Sequence, residues 1–152
     1  MRRSDKEITD KKAIEDIILR SAVCKLAMCD KNMPYIVPLC FGFKNNTLYF
    51  HSAPKGKKIE ILKKNPDVCF EFEIFTQVIK SAQACKWGMK YRSVIGFGKA
   101  SFIDDNDLKR QAFDIIMSQY ADESFIYEEA LLKSAVIIKV EIHSMTGKQS
   151  EI

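Results

Sequence analysis

The chain has 152 residues, of which 47% are hydrophobic and 29% are charged. This length fits one ordinary domain with a real core, and the composition is that of a globular chain and not of a disordered one. No apolar run approaches the roughly 20 residues of a membrane span, and the charged segment 1–12 lacks the apolar core of a secretory signal. We therefore expect a single cytoplasmic domain over residues 1–152 that does not bind membranes.

The net charge of +4 says little about partners, because lysine and arginine are spread along the chain. The densest basic run, residues 55–64, fits a nucleic-acid surface, a phosphate-bearing small ligand or a solvated helix face. Acidic residues interrupt any continuous basic face, so nucleic acid is the least favoured partner. The five cysteines include no C-x-x-C pair, which predicts reduced and mostly buried thiols and no metal site.

The first third of the chain predicts one helix followed by three strands. Apolar spacing predicts a helix over 9–21, capped by Thr9 or Asp10, and a period of two predicts a strand over 22–28. A second strand over 35–43 contains Pro38, which cannot donate to a ladder and therefore indicates a bulge or an unpaired edge. A tight turn then leads to a third strand over 47–52, which should form a hairpin with the second.

The rest of the chain predicts three more strands among helices. In chain order these are a basic helix over 54–64, a strand over 68–74, an irregular stretch over 76–88, a long strand over 91–103, a helix capped by Asn106, a helical segment over 121–133 and a last strand over 134–143. The helix after Asn106 should bury Leu108, Ala112, Ile115 and Ile116. Gly96 and Gly98 predict strong curvature of the long strand or close approach of another backbone segment. Six strands with few crossover helices favour a mostly β fold, a closed antiparallel β-barrel with peripheral helices.

Residues 51–58 form the segment with the most chemical information. They lie where a strand ends and a helix begins, and a helix N-terminus offers unpaired N–H groups and partial positive charge. Ser52 adds a hydroxyl, Gly56 adds backbone freedom, and the neighbouring lysines add charge, so the segment could bind phosphate. A solubilised surface helix explains the same residues equally well.

Two further segments could contact a planar ligand. Trp87, Tyr91 and Arg92 could stack on a ring and bind its polar edge, although aromatic plugs in a barrel strand would explain them too. Residues 35–42 are interrupted by Pro38, so main-chain donors and acceptors are left without ladder partners. These groups could bind a heterocycle, or the proline could simply protect a sheet edge.

Together the motifs resemble those of the pyridoxamine-5′-phosphate-oxidase-related FMN-binding proteins. The motifs are at 34–38, 48–62, 65–71 and 91–100, and the resemblance covers residues 1 to 148. It is closest to the nitroimidazole-resistance (5-nitroimidazole reductase-like) branch, because the chain lacks the C-terminal Trp and Arg motif of the oxidase itself. The resemblance implies a six-stranded antiparallel split β-barrel that forms a homodimer, with FMN in the grooves between the subunits.

The resemblance also implies ten cofactor-binding residues. Those expected from one subunit are Val37, Pro38 and Leu39 at the isoalloxazine, His51 and Ser52 beside the ribityl chain and phosphate, and Lys57 and Lys58 on the phosphate. Those expected to complete the site are Arg92 and Ser93, from the other subunit, and Trp87, over the ring.

Two functions remain open on this basis. The first is an FMN-dependent oxidoreductase that passes electrons from a reduced donor to a small acceptor such as a nitro-aromatic. His51 is its candidate catalytic residue, because an imidazole exchanges protons near neutral pH. The alternative is a non-catalytic module that binds or carries a flavin or another phosphate ligand. Turnover with a reduced nicotinamide would separate the two, since the fold alone does not.

Overall fold

Eight strands and four α-helices make up the computed structural model, which describes residues 3–150. The strands are β1 (Glu7–Ile8), β2 (Cys24–Asp30), β3 (Met33–Leu39), β4 (Gly42–Lys44), β5 (Thr47–Ser52), β6 (Asp67–Ile79), β7 (Gly88–Ile103) and β8 (Val136–Ser150). The helices are α1 (Lys11–Arg20), α2 (Lys57–Lys64), α3 (Asn106–Met117) and α4 (Glu129–Ser134), with short 3₁₀ turns at Ser4–Lys6 and Ala84–Lys86. Within these residues, no helix has the length and apolar character that a membrane crossing requires.

The strands form one antiparallel sheet in the order β3, β2, β6, β7, β8, β5, β4, and β1 pairs with β8. The two end strands, β3 and β4, are joined in sequence by Cys40 and Phe41 alone. The sheet must therefore curl until its ends meet, although no pairing joins β3 to β4. We call this unpaired junction the seam. The predicted split β-barrel with peripheral helices is confirmed, but it has eight strands instead of six.

The barrel core comes from the alternating strands that the sequence predicts. Cys24, Leu26 and Met28 of β2 are buried, and so are Phe70 and Phe72 of β6. Full burial of a large apolar side chain stabilises a fold by about 1.5–3 kcal/mol. In β7, a Cβ at Gly98 would lie 2.5 Å from the Glu141 carbonyl oxygen, which confirms the predicted close backbone approach, and the register shifts between Phe97 and Gly98.

The helix ends follow from capping residues. The Asp10 carboxylate accepts a hydrogen bond from the Ala13 amide at 2.9 Å, so α1 starts at Lys11 as expected. The cap of α3 is Asp105 and not Asn106, because the Asp105 carboxylate accepts from the Leu108 amide at 2.9 Å. The predicted burial of Ala112 and Ile116 in α3 is confirmed. Leu108, however, is 50% exposed, whereas Phe113 and even Lys109 are buried.

The predicted strand over 35–43 is two strands. β3 ends at Leu39 and pairs with β2, so only the last part of the predicted second strand forms the expected hairpin. That part is β4, which pairs with β5 through a turn at Asn45 and Asn46, with φ of 51° and 58°. Two asparagines at positive φ suit the tight turn of a hairpin. The break between β3 and β4 leaves β3 on the sheet edge, which confirms one of the two alternatives for Pro38.

Tyr120, just after α3, holds the break between β3 and β4 in place. Its hydroxyl accepts a hydrogen bond from the Phe41 amide at 2.9 Å and donates one to the Ala22 carbonyl at 3.1 Å. The Phe41 ring is fully buried. One phenol therefore ties the seam to the start of β2.

Four predicted boundaries in the second half of the chain are wrong. β6 continues to Ile79 and β7 begins at Gly88, so both ends of the stretch predicted to be irregular are strand and only residues 80–87 are not. Only Glu129–Ser134 of the predicted helix over 121–133 is helical. The last strand continues beyond residue 143 to Ser150, because its polar end pairs with both β7 and β1.

A second, smaller core lies outside the barrel. Phe113 and Ile116 of α3, Leu132 of α4 and Ile137 of β8 pack together there. The Lys109 ammonium donates to two carbonyl oxygens beside this core, those of Leu132 and Ala135, each at 3.0 Å. A buried lysine is therefore satisfied by the backbone at the end of α4.

Candidate functional site

An open groove of about 520 Å³ lies between β3, the end of β5 and the start of α2. Its volume is in the range of small-molecule sites. It brings together seven of the ten predicted cofactor-binding residues: Val37, Pro38, Leu39, His51, Ser52, Lys57 and Lys58. Its remaining lining residues are Tyr35, Ala53, Lys55, Gly56 and Ile59.

One wall of the groove is the edge strand β3. Tyr35, Val37 and Leu39 alternate along it and are half-buried, so they share one face. Because β3 pairs only with β2, its outer edge keeps main-chain groups available to a ligand. Tyr35 was not among the predicted site residues, although the same period of two that places Val37 and Leu39 would have found it.

The opposite wall is the N-terminus of α2. Gly56 caps this helix and no side chain bonds to its first amides, so these amides can bind an anion. The Lys57 ammonium lies 4.5 Å from the centroid of the Tyr35 ring, so a cation–π contact links the two walls. Lys58 is half-buried, and this burial lowers the pKa of its ammonium below the ordinary value.

Ser52 and His51 lie at the end of β5. The Ser52 hydroxyl is half-buried and donates to the Ala53 carbonyl at 3.0 Å, in the loop that leads to α2. His51 is exposed at the rim, with its ring centroid 6.2 Å from that of Phe113. Phe113 in turn stacks on Tyr127 at 5.2 Å. The imidazole is therefore available to a ligand in the groove and is backed by the second core.

Trp87, Arg92 and Ser93 do not line this groove. Trp87 is exposed in the segment between β6 and β7, where its indole donates to the Ser81 carbonyl at 2.7 Å. Arg92 lines a different cavity, and the half-buried Ser93 follows it on β7. Their expected contact with a cofactor held by another subunit stays a prediction.

The groove combines an apolar wall with a cationic end. His51 is the only histidine among the residues that line it. Over residues 3–150, no group of three histidine, cysteine or acidic side chains is placed to hold a metal ion. The residues present therefore suit a ligand with a planar ring at one end and a phosphate at the other.

The chain is similar to known proteins over most of its length. Residues 10–149 match the family model described as pyridoxamine 5′-phosphate oxidase. A candidate 5-nitroimidazole antibiotic resistance protein from Bacteroides thetaiotaomicron is 40% identical, with a TM-score of 0.86. That match covers 94% of this chain and 86% of the other.

Two more distant relatives are similar to this chain, and the structural one shows only that the fold is shared. The flavocytochrome Anf3 from Azotobacter vinelandii is 15% identical with a TM-score of 0.87, and the match covers 100% of this chain and 72% of the other. An uncharacterized protein of Rhizobium meliloti is 29% identical over 68 residues, which are 45% of this chain and 44% of that relative's length. The family match, in contrast, spans nearly the whole chain. The chain therefore belongs to the pyridoxamine 5′-phosphate oxidase family, as its motifs predict.

Proposed function

We propose that this protein is a homodimeric oxidoreductase that binds FMN in the groove between β3 and α2. The observation that carries the proposal is the groove itself, which gathers seven residues from three separate segments around one cationic end and one apolar wall. The candidate nitroimidazole resistance protein at 40% identity supports a nitro-aromatic acceptor.

The parts of FMN fit the parts of the groove. The uncapped amides of α2 with Lys57 and Lys58 suit the phosphate, since dipole and charge both favour an anion there. Ser52 also lines the groove, where its hydroxyl can bond the ribityl chain. Val37 and Leu39 offer apolar surface to the ring, and the unpaired edge of β3 offers main-chain groups to its polar side.

When bound, the flavin supplies the electron transfer, and the protein supplies binding and a proton. Lys57 and Lys58 would hold the phosphate, and Val37 and Leu39 of β3 would contact the ring. His51 lies at the exposed rim, where it can give a proton to an acceptor that approaches from solvent. The Phe113 ring beside it limits how far the imidazole can turn.

An absorbance spectrum of the purified protein from 300 to 600 nm, before and after addition of FMN, tests the cofactor. Flavin bands that co-elute with the protein support the proposal, and chromatography of the released flavin distinguishes FMN from FAD. A protein that stays colourless in excess FMN contradicts it.

A double substitution tests the phosphate end. Lys57→Ala with Lys58→Ala should weaken FMN binding at least tenfold, because charged hydrogen bonds contribute about 1.5–3 kcal/mol each. The matched control is Lys63→Ala with Lys64→Ala, which removes two exposed lysines from the last turn of the same helix. If the two double variants bind FMN with equal affinity, Lys57 and Lys58 do not bind the phosphate.

The proposed dimer interface is an exposed apolar row across the sheet. Cross-strand pairing sets Ile36, Ala27, Cys69 and Phe97 side by side on one face. Ile36 is 59% exposed, Phe97 is 56% exposed, and the neighbouring Ile95 is 45% exposed. A contiguous apolar patch of this kind on a folded protein marks an interaction surface. We propose that a second copy of the chain covers it.

The interface has its own test. Phe97→Lys should convert the dimer to a monomer in sedimentation experiments, whereas Leu131→Lys, a matched change at an exposed leucine of α4, should not. A wild-type protein that is monomeric at all concentrations would contradict the dimer.

Arg92 tests whether the cofactor site is shared. Arg92→Ala should weaken FMN binding if this side chain reaches the groove of the other subunit. A heterodimer of Arg92→Ala with the Lys57, Lys58 double variant should then keep one intact site of the two. Failure to recover that site would show that Arg92 does not act across the interface.

A non-catalytic flavin carrier is the second candidate, because His51 is the single histidine among the described residues that line the groove and no acidic side chain lies beside it there. Oxidation of a reduced nicotinamide with a nitro-aromatic acceptor would decide between the two. Turnover that falls at least tenfold in His51→Phe supports the enzyme, and flavin binding without turnover supports the carrier.

A further inference from the structure

A second cavity, of about 480 Å³, lies where the ends of β6 and β7 approach the last turn of α1. Its walls include Arg20 of α1, Phe75 of β6, and Lys90, Tyr91 and Arg92 of β7. It shares no lining residue with the groove. The proposed function uses Arg92 alone from this set, so the cavity needs an explanation of its own.

Phe75 is held in an unusual conformation at the cavity wall. Its φ is 57°, and the pairing of β6 with β7 shifts register between Ile74 and Gln77 around it. A bulky residue at positive φ is an outlier, and such strain is concentrated at sites that bind ligands. The ring is 54% exposed, so burial in the core does not explain why the strain is tolerated.

Arg20 orients the Phe75 ring. Its guanidinium lies 4.4 Å from the ring centroid, and it is also paired with Asp16 at 3.4 Å. A planar guanidinium that is bonded on one side and stacked on the other has little freedom to turn. The aromatic surface is therefore presented to the cavity in one orientation.

The charges around the cavity favour an anion. Three of its described lining residues are basic and none is acidic. Lys90 is half-buried and has no ion-pair partner among residues 3–150. A cation enclosed by cavity walls gains more from an anionic ligand than an exposed lysine does, because less water screens the pair.

We propose that this cavity binds a planar aromatic carboxylate. The ring of the ligand lies against Phe75, whose exposed side chain provides the aromatic surface. The carboxylate bonds to the half-buried Lys90 ammonium on the facing strand. A ligand with only one of the two features, ring or charge, would lose half of these contacts.

Calorimetric titration of the full-length protein with three probes tests the specificity. The probes are 2-naphthoate, its neutral isostere 2-naphthamide, and cyclohexanecarboxylate, which has the charge without the aromatic ring. We expect 2-naphthoate to bind at least tenfold more tightly than either of the others. If 2-naphthamide binds as tightly as 2-naphthoate, the proposal is overturned.

Variants then locate the ligand. Lys90→Gln should weaken 2-naphthoate binding about tenfold or more, the scale of one charge-assisted hydrogen bond. The matched control Lys99→Gln, at an exposed lysine of the same strand, should leave it unchanged. The Lys57, Lys58 double variant should also leave it unchanged, and loss of binding there would place the ligand in the groove and overturn the proposal.

Phe75→Gly separates binding from folding. Glycine accepts a φ of 57° without strain, so the melting temperature of this variant should stay the same or rise while 2-naphthoate binding falls at least fivefold. Unchanged binding in this variant would remove Phe75 from the site. A large drop in melting temperature would show that the ring is needed for the fold, and would equally overturn its assignment to binding.

Discussion

Gly56 offers a sharp test of the groove, because its conformation is closed to other residues. Its φ of 124° and ψ of 167° lie in a region that is essentially restricted to glycine. A Cβ built at this position meets no heavy atom within 4 Å, so Gly56→Ala introduces no steric clash with the rest of the protein. The whole cost is backbone strain, of about 1–3 kcal/mol.

This strain falls on the loop that leads into α2, so it should be seen mainly in ligand binding. The loop is exposed and can relax by moving the first amides of the helix away from the ligand. If the full 1–3 kcal/mol is taken from binding, FMN affinity falls about 5- to 150-fold. Flavin fluorescence titration measures this loss, and urea unfolding of the ligand-free protein measures whatever part remains in stability.

A change two residues earlier in the same loop serves as the control. Pro54→Ala alters an exposed residue of the same loop without requiring a forbidden φ, so it should change FMN affinity less than Gly56→Ala does. If Gly56→Ala changes neither affinity nor unfolding free energy by more than about 0.3 kcal/mol, the backbone reasoning is refuted.

Three further predictions concern the helices around the barrel. Gly42→Ala would set a Cβ 2.6 Å from backbone atoms of α3, so it should lower the free energy of unfolding by about 1–3 kcal/mol in urea titration; wild-type stability would contradict that packing. Lys109→Met would leave the carbonyl oxygens of Leu132 and Ala135 without their donor, so we expect a loss of about 1–3 kcal/mol in the same assay, and an unchanged midpoint would show that water replaces the ammonium. Burial lowers the pKa of Lys58, so its positive charge is lost as pH rises through a value below that of an exposed lysine. FMN affinity should begin to fall at that lower pH, and Lys58→Arg, which stays charged, should remove this part of the pH profile; identical profiles would contradict the assignment.

The parts of the fold that the sequence predicts are those governed by local patterns. The alternation around Leu26 and Phe70 gives two core strands, and the spacing of Ile14 and Ile17 gives α1. The end of β8 has no such signal, because Thr146 and Lys148 are polar and are strand only through pairing with β7 and β1. Tertiary pairing overrides local preference there.

The buried face of α3 shows another limit. Periodicity predicts that Leu108 is buried and gives no reason to bury Lys109, yet the lysine is the buried one. Its ammonium meets carbonyl groups at the end of α4, more than twenty residues later in the chain. No local pattern contains that information.

The candidate site also has residues that local sequence patterns predict and residues that they do not. The groove could be predicted because His51, Ser52 and the α2 lysines follow one another along the chain, and because Pro38 marks the edge strand. The position of Arg92 relative to a bound cofactor could not be predicted from such patterns, because it depends on a second chain. It is implied by the resemblance alone. Phe75 gave no signal at all, since positive φ at a phenylalanine is a property of the folded bulge.

The seam links ligand binding in the groove to the stability of the barrel. The β3 wall and the β5–α2 wall lie at opposite ends of the strand order, and no ladder of hydrogen bonds runs from one to the other. A ligand that contacts both walls would therefore stabilise the barrel across the seam, where the Tyr120 hydroxyl already forms hydrogen bonds. Because a ligand that binds only the folded chain stabilises it, we expect proteolysis of the protein to slow when the groove is occupied.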